Sequence, residues 1–350
     1  MERLEYFLRR MLLIPPTLLG ITLLCFALIQ FVPGGPVEQK LMQMRGMGSG
    51  ESAPLAAGAV SAVSDQQRAD LIRHFEFDQP FALRYWHWLI RDRMGLGMES
   101  YHFTNKTAWQ LIRERLPVSL IFGVTGFVLS YLICIPLGIA KAVRSGSFFD
   151  AGSSLLVFTG YALPVFACGM VLKMLFSGTV DAFWDWLPLG GFVSDQYDHL
   201  SPLGKAADIA RHMALPVACY VVGNFAVLTI LMKNSLLEQI GRDYVRTVLA
   251  KGGSLRRAIW GHAVRNALVP IATGIGALMT VMFAGSVIIE QVFEIPGMGR
   301  LSLEAIVGRD YPVFMAMLAL TSVLGLLGHV LSDLACVIVD PRISFQRNAR

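Results

Sequence analysis

The chain has 350 residues, 54% of them hydrophobic, and a mean hydropathy of +0.54, a composition that excludes an ordinary soluble domain. Its formal net charge is only +5, which demands no nucleic-acid partner, so where Lys and Arg fall matters more than their sum. Five cysteines, Cys25, Cys134, Cys168, Cys219 and Cys336, all lie in apolar runs without CxxC spacing and read as small buried hydrophobes, not as a disulfide frame or metal site.

Arg3, Arg9 and Arg10 precede an apolar run over residues 11–32. The run is long enough to cross roughly 30 Å of hydrocarbon and too long for a cleaved signal core, so a signal-anchor span (1–32) is expected. Pro15-Pro16 falls in its first turns, and Val32-Pro33-Gly34-Gly35-Pro36 ends it with a strong turn signal. Residues 33–116 look soluble. Within them, 42–62 are rich in Gly, Ala, Ser and Met without periodicity, whereas Ser64-Asp65-Gln66-Gln67 fits a capping box. Asp78-Gln79-Pro80 opens a short helix carrying Tyr85, Trp86 and Trp88, aromatic residues suited to a membrane interface. Thr107-Ala108-Trp109-Gln110 opens another that runs into the next span. A segment this small makes a poor independent core, so it is expected to be a periplasmic cap.

Further spans are expected at about 117–140, 153–176 (with Pro164 near its middle), 213–232, 268–289 and 312–339, followed by a tail at 341–350. Six spans put both ends on one side. Lys141, Arg144, Lys233, Arg242, Arg246, Lys251, Arg256, Arg257 and Arg265 then share a side with the termini, while the short outer loops hold only Lys205, Arg211, Arg300 and Arg309. The positive-inside rule therefore predicts N-in and C-in, with loop 233–267 in the cytoplasm.

That loop is basic and amphipathic: Tyr244, Val248 and Leu255 recur at helical spacing among the arginines. Gly252-Gly253 breaks it, and Ser254 can cap a second short helix, so helix, tight turn, helix is expected. Inside the spans, His329 and Asp333 lie four apart on one helical face. They read either as a pair lining a pathway or as a packing contact near the cytoplasmic end. Asn224 in span four, with Gly274-Ile275-Gly276 and Ala284-Gly285-Ser286 in span five, suits close helix packing or a pore lining. Lys173 lies near the outer end of span three, where its stem can snorkel.

The chain contains no G-x-x-x-x-G-K-[ST], HExxH or G-x-S-x-G motif, and no Cys/His ligand cluster. A secondary transporter would need coupling-ion carboxylates, for which only Asp333 is a candidate, and a membrane-embedded enzyme would need a catalytic cluster at a span end.

Asp243-Tyr244-Val245-Arg246-Thr247, Ala250-Lys251-Gly252 and Arg265-Asn266-Ala267-Leu268-Val269-Pro270 resemble the cytoplasmic "EAA" loop of bacterial ABC-importer permeases, most of all their oligopeptide/dipeptide branch. Arg246-Thr247-Val248 stands where Glu-Ala-Ala would be, while Gly252 keeps the glycine position. Leu116-Pro117-Val118-Ser119-Leu120, Ile135-Pro136-Leu137-Gly138, Gly160-Tyr161-Ala162-Leu163-Pro164, Ile295-Pro296-Gly297-Met298-Gly299, Arg309-Asp310-Tyr311-Pro312 and Asp340-Pro341-Arg342-Ile343 are similar to landmarks of that branch, in family order. Gly95-Leu96-Gly97-Met98-Glu99-Ser100 is similar to its DLGxS segment without the Asp. The Gly-rich loop after span one, Lys233-Asn234-Ser235 and the 340–345 ending are similar to the subfamily that imports microcin C and peptides.

The resemblance implies an all-α membrane protein with the type I ABC importer permease fold, 117–340 forming the permease domain. Its coupling loop, with Asp243, Tyr244, Arg246, Thr247, Ala250, Lys251, Gly252 and Gly253, would dock on an ATPase subunit. The implied partners are a second permease subunit, one or more ATP-binding subunits, a periplasmic peptide-binding protein and the lipid bilayer. No cofactor is expected on this chain, with ATP and Mg held by the ATPase subunits, and no nucleic acid.

Overall fold

The computed structural model describes residues 2–30, 78–178, 184–276 and 286–339. The loop at 42–62, the capping box at Ser64, residues 284 and 285 and the tail at 341–350 lie outside the described residues. Among the described residues the secondary structure is helical apart from isolated bridges pairing Glu99 with Thr107 and Ser177 with Asp185.

The helices, in chain order, are α1 (Glu2–Gln30), α2 (Phe81–Trp86), α3 (Ala108–Val143), α4 (Phe148–Ala162), α5 (Val165–Phe176), α6 (Pro202–Ile240), α7 (Asp243–Ala250), α8 (Leu255–Ala258), α9 (Val264–Ala267), α10 (Val269–Thr273), α11 (Val287–Val292), α12 (Met298–Val307) and α13 (Tyr311–Val339). Their starts follow local chemistry. Ser201 accepts from Gly204 N at 3.2 Å and Pro202 occupies the first helical turn of α6, where its missing N–H costs nothing. Thr107 and Gln110 cap reciprocally at the head of α3, through bonds of 2.9 and 3.3 Å.

Among the described residues, four helical stretches are long and apolar enough to cross a membrane: Glu5–Ile29, Ala108–Val143, Pro202–Ile240 and Tyr311–Val339. They contain the expected spans two, four and six and, of expected span one (11–32), residues 11–29. Span three is not one straight helix. It divides at Pro164 into α4 and α5, bent by 99°, so the pair makes one broken span or a re-entrant loop. Leu163, ahead of the proline, is extended at φ −83° and ψ 124°, as steric clash with a proline ring requires. Of expected span five, only residues 268–276 and 286–289 are described: α10 runs over Val269–Thr273, with Pro270 in its first turn and Gly274 at its end, and α11 begins at Val287.

The chain divides into two compact units. One comprises Met1–Ile14, Arg115–Leu301 and Val323–Arg350; the other comprises Pro15–Glu114 and Ser302–Ser322. The division cuts through α1, α3, α12 and α13 and does not follow loop boundaries.

In the second unit the core is aromatic. Trp88 is buried against Phe26, Tyr85 and Met315, so of the three aromatic residues expected at a membrane interface, Trp88 is a core residue and Trp86 is exposed. Thr22 and Tyr85 share a hydroxyl bond of 2.8 Å. Buried Asp310, at the head of α13, accepts from Ser100 Oγ and from the backbone N–H groups of Tyr101 (3.2 Å) and His102 (3.3 Å).

The first unit has two apolar cores. One joins α3, α5 and α6 to α11 through Phe122, Met213, Cys219, Ile289 and Phe293. The other lies where Ile139 of α3, Met232 and Leu236 of α6 and the 243–271 region meet. All five cysteines are free.

Candidate coupling site

The 234–270 stretch folds as an elbow on the end of α6. Gly241 closes α6, and α7 starts two residues on, with Asp243 in its first turn where the helix dipole favours an anion. Tyr244 Oη donates to Gln239 Oε1 at 2.9 Å, and Thr247 Oγ1 donates to Asp243 O at 3.0 Å. The inner face of α7 is apolar. Val245, 2% exposed, packs with Tyr244 and Val248 into the cluster containing Leu236, Ile240, Ala258 and Ile259. The outer face holds Asp243, Arg246, Thr247, Leu249, Ala250 and Lys251, all exposed. Arg246 lies 3.8 Å from Asp243 across open solvent, a pair worth little to stability.

The turn is a Schellman motif. Gly253 N donates to Val248 O at 3.0 Å and Gly252 N to Leu249 O at 2.9 Å, satisfying carbonyls that the helix end would orphan. Gly252 has φ +80°, a conformation that side chains resist. A Cβ on Gly253 would lie 2.8 Å from Val248 Cγ1. Ser254 Oγ then accepts from Arg257 N at 3.3 Å and starts α8. The helix widens into a π turn at Ile259–Ala263 and continues through α9, presenting Ala258, Ile259, Ala263, Val264 and Ala267 to the core. Leu255, Arg256, Arg257 and Trp260 face outward. Ser254, Arg256, Arg257, Trp260 and Gly261 line a concavity of about 700 Å³. Arg265 Nε donates to Val339 O at 2.8 Å, tying the far end of the elbow to α13.

The elbow therefore presents one cationic, partly apolar surface on a base fused to a long helix. Among the described residues there is no group of His, Cys, Asp and Glu that could hold a metal ion.

All eight sequence-derived elbow residues meet here, with Tyr244 and Gly253 half-buried and the other six exposed. The pathway candidates are not brought together. Asn224 Nδ2 bonds back to Tyr220 O at 2.9 Å. Asp333 accepts from Tyr6 Oη at 2.8 Å and pairs with Arg10, which also reaches His329 O at 3.3 Å, so among the described residues Asp333 pairs with α1 and makes no bond to His329. Lys173 Nζ donates to Val292 O at 2.9 Å and lies 3.9 Å from Glu294, bonded within the protein where snorkelling was expected.

Sequence reasoning missed a charged cluster at the base of this unit. Lys141, 1% exposed, and Lys233 both contact Asp150. Asp150 lies in the first turn of α4, ahead of the apolar run that begins at residue 153. Gly146 N also donates to Asp150 Oδ2, at 3.2 Å. The signal is Lys141 with Asp150, Ser153 and Ser154 just beyond it, but Lys141 also serves as a topology marker, a role that by itself accounts for a lysine at that position. Also missed was Glu290, fully buried, which accepts from Ser119 Oγ (3.2 Å), Ser286 N (3.2 Å) and Arg300 N (2.8 Å).

Long apolar helices, one of which carries a charged elbow at its end, define a multi-pass helical membrane protein. Residues 134–345 match the family model described as "Binding-protein-dependent transport system inner membrane component". The chain is 38% identical to the peptidoglycan transport system permease protein YejB of Agrobacterium fabrum, covering 98% of each chain. It is 36% identical to the inner membrane ABC transporter permease protein YejB of Escherichia coli O157:H7, over 97% of this chain and 99% of that one. It is 33% identical to the dipeptide transport system permease protein DppB of Escherichia coli K12, over 98% and 100%. The chain belongs to the family of binding-protein-dependent transport system inner membrane components and is a multi-pass inner-membrane protein.

Proposed function

We propose that this chain forms half of the peptide pathway of an ATP-driven importer, pairing with a second permease subunit. The elbow docks on an ATP-binding subunit, and a periplasmic peptide-binding protein delivers cargo to the opposite face. Six spans with both termini in the cytoplasm put the elbow on the ATPase side. The broken α4–α5 pair counts as span three, and the stretch from α10 to α11 as span five. The relatives' names point to peptide cargo, and the sequence likeness to the microcin C subfamily makes such peptides the first to try.

One observation carries the reading: α7 and the α8–α9 run bury an apolar face continuous with α6 and leave a cationic face free. A partner gripping that face moves α6 as a lever, because rigid elements transmit displacement where flexible loops absorb it. The ion-coupled alternative needs an available intramembrane carboxylate, whereas Asp333 is held by Arg10 and Tyr6.

The test is affinity purification of the intact assembly followed by uptake of short peptides in vesicles. ATP-dependent uptake that requires the binding protein supports the reading. Uptake driven by an ion gradient without an ATPase subunit overturns it.

A further inference from the structure

Lys141 and Lys233 approach Asp150 from different helices and are bound in different ways. Lys141 Nζ bonds Asp150 O (2.9 Å), Ser153 Oγ (2.8 Å) and Ser154 Oγ (2.7 Å), and lies 3.1 Å from Asp150 Oδ1. The three protons of this buried ammonium are thus satisfied by α4 alone. Lys233 bonds only the carboxylate, at 2.8 Å to each oxygen, and keeps 19% of its side chain exposed.

We propose that Lys233 is the releasable half of a latch between the elbow-bearing helix α6 and the α3–α4 pair, and that the latch opens and closes as the ATPase moves the elbow. The proposal rests on the elbow reading above.

The charges make release feasible. A buried ion whose only partner departs is strongly destabilised. When Lys233 leaves, Asp150 keeps the Lys141 ammonium and the Gly146 N–H, at 3.2 Å, while the partly exposed Lys233 moves into water. Removing Lys141 or Asp150 instead strands a charge. The node is therefore a permanent clasp between α3 and α4 plus one detachable arm. That arm is mechanically tied to the elbow, because Met232 and Leu236, which flank Lys233, sit in one buried cluster with Val245, Ala258 and Ile259. An elbow displaced by a partner cannot move without loading the Lys233–Asp150 contact.

Lysine acetylation footprinting of the complete importer in nanodiscs, nucleotide-free and after trapping with ATP and vanadate, tests this on the native chain. Lys233 labelling is expected to differ at least about fivefold between the two states, the lower end of ordinary coupling between sites, with Lys141 protected in both. Equal Lys233 labelling, or Lys141 becoming labelled alongside it, overturns the latch. Lys233→Met is expected to keep its thermal stability and change the peptides moved per ATP by at least about fivefold, with Lys233→Arg restoring the ratio. A merely structural Lys233 would lower stability and leave that ratio alone. If Gly252→Pro breaks the ratio while Lys233 responds in neither assay, the latch falls and the elbow reading stands. If Gly252→Pro leaves the ratio intact, the elbow reading itself fails.

Discussion

Gly276 lies so close to the carbonyl oxygen of Gly328 that a Cβ on Gly276 would overlap it, with Ser332 Cβ at 2.9 Å on the same side. The backbone after α10 therefore meets α13 without side chains between them. Ser332 Oγ adds a bond to Thr273 O. Small residues at such a crossing let dispersion and hydrogen bonds act at short range in lipid, where apolar burial alone gives helices no preference for each other.

Gly276→Ala should therefore destabilise the protein by about 1–3 kcal/mol, because the clashing atom is backbone and cannot swing aside. Gly20→Ala, where a Cβ meets nothing within 4 Å, is the control and should cost nothing. Thermal unfolding in detergent reads both.

Ser119 serves two partners, donating to Glu290 Oε1 at 3.2 Å and accepting from Met298 N at 2.7 Å. Ser119→Ala leaves the Met298 N–H buried without an acceptor and removes one donor from a fully buried carboxylate. A loss of about 1–3 kcal/mol is expected, measurable in the same unfolding assay.

The elbow was legible in the sequence because its determinants are local. Gly252-Gly253 and Ser254 specify a turn and a cap within a few residues, and the spacing of Tyr244 and Val248 names an apolar side, whereas Leu255, expected on that side, is exposed. Long-range pairing is written nowhere so compactly. Helical periodicity puts His329 and Asp333 on one face, yet only tertiary packing brings Arg10 and Tyr6 to Asp333. Lys233 and Asp150 each look like ordinary charges near a span end until α4 and α6 are set side by side. Pro164 was visible, but hydropathy averages over a window and cannot tell a kink within a span from a 99° bend.

Coupling variants follow from the elbow. Gly252→Pro cannot adopt φ +80° and deletes the N–H that bonds Leu249 O, so the turn between α7 and α8 must rearrange. Arg246→Glu reverses a charge that is exposed on the outer face and leaves the core untouched. Both should insert normally in the membrane and lower peptide uptake per ATP hydrolysed, Gly252→Pro more severely. Vesicle uptake with parallel phosphate release measures the ratio, and wild-type ratios in both variants contradict the prediction.

The most direct measurement places a photo-crosslinking amino acid at Thr247, on the exposed face of α7, in cells that carry the whole importer. The account predicts a covalent adduct between this chain and its ATP-binding subunit, lost when that subunit is omitted. An adduct with the periplasmic binding protein, or none with the ATP-binding subunit in an importer active for uptake, would contradict it.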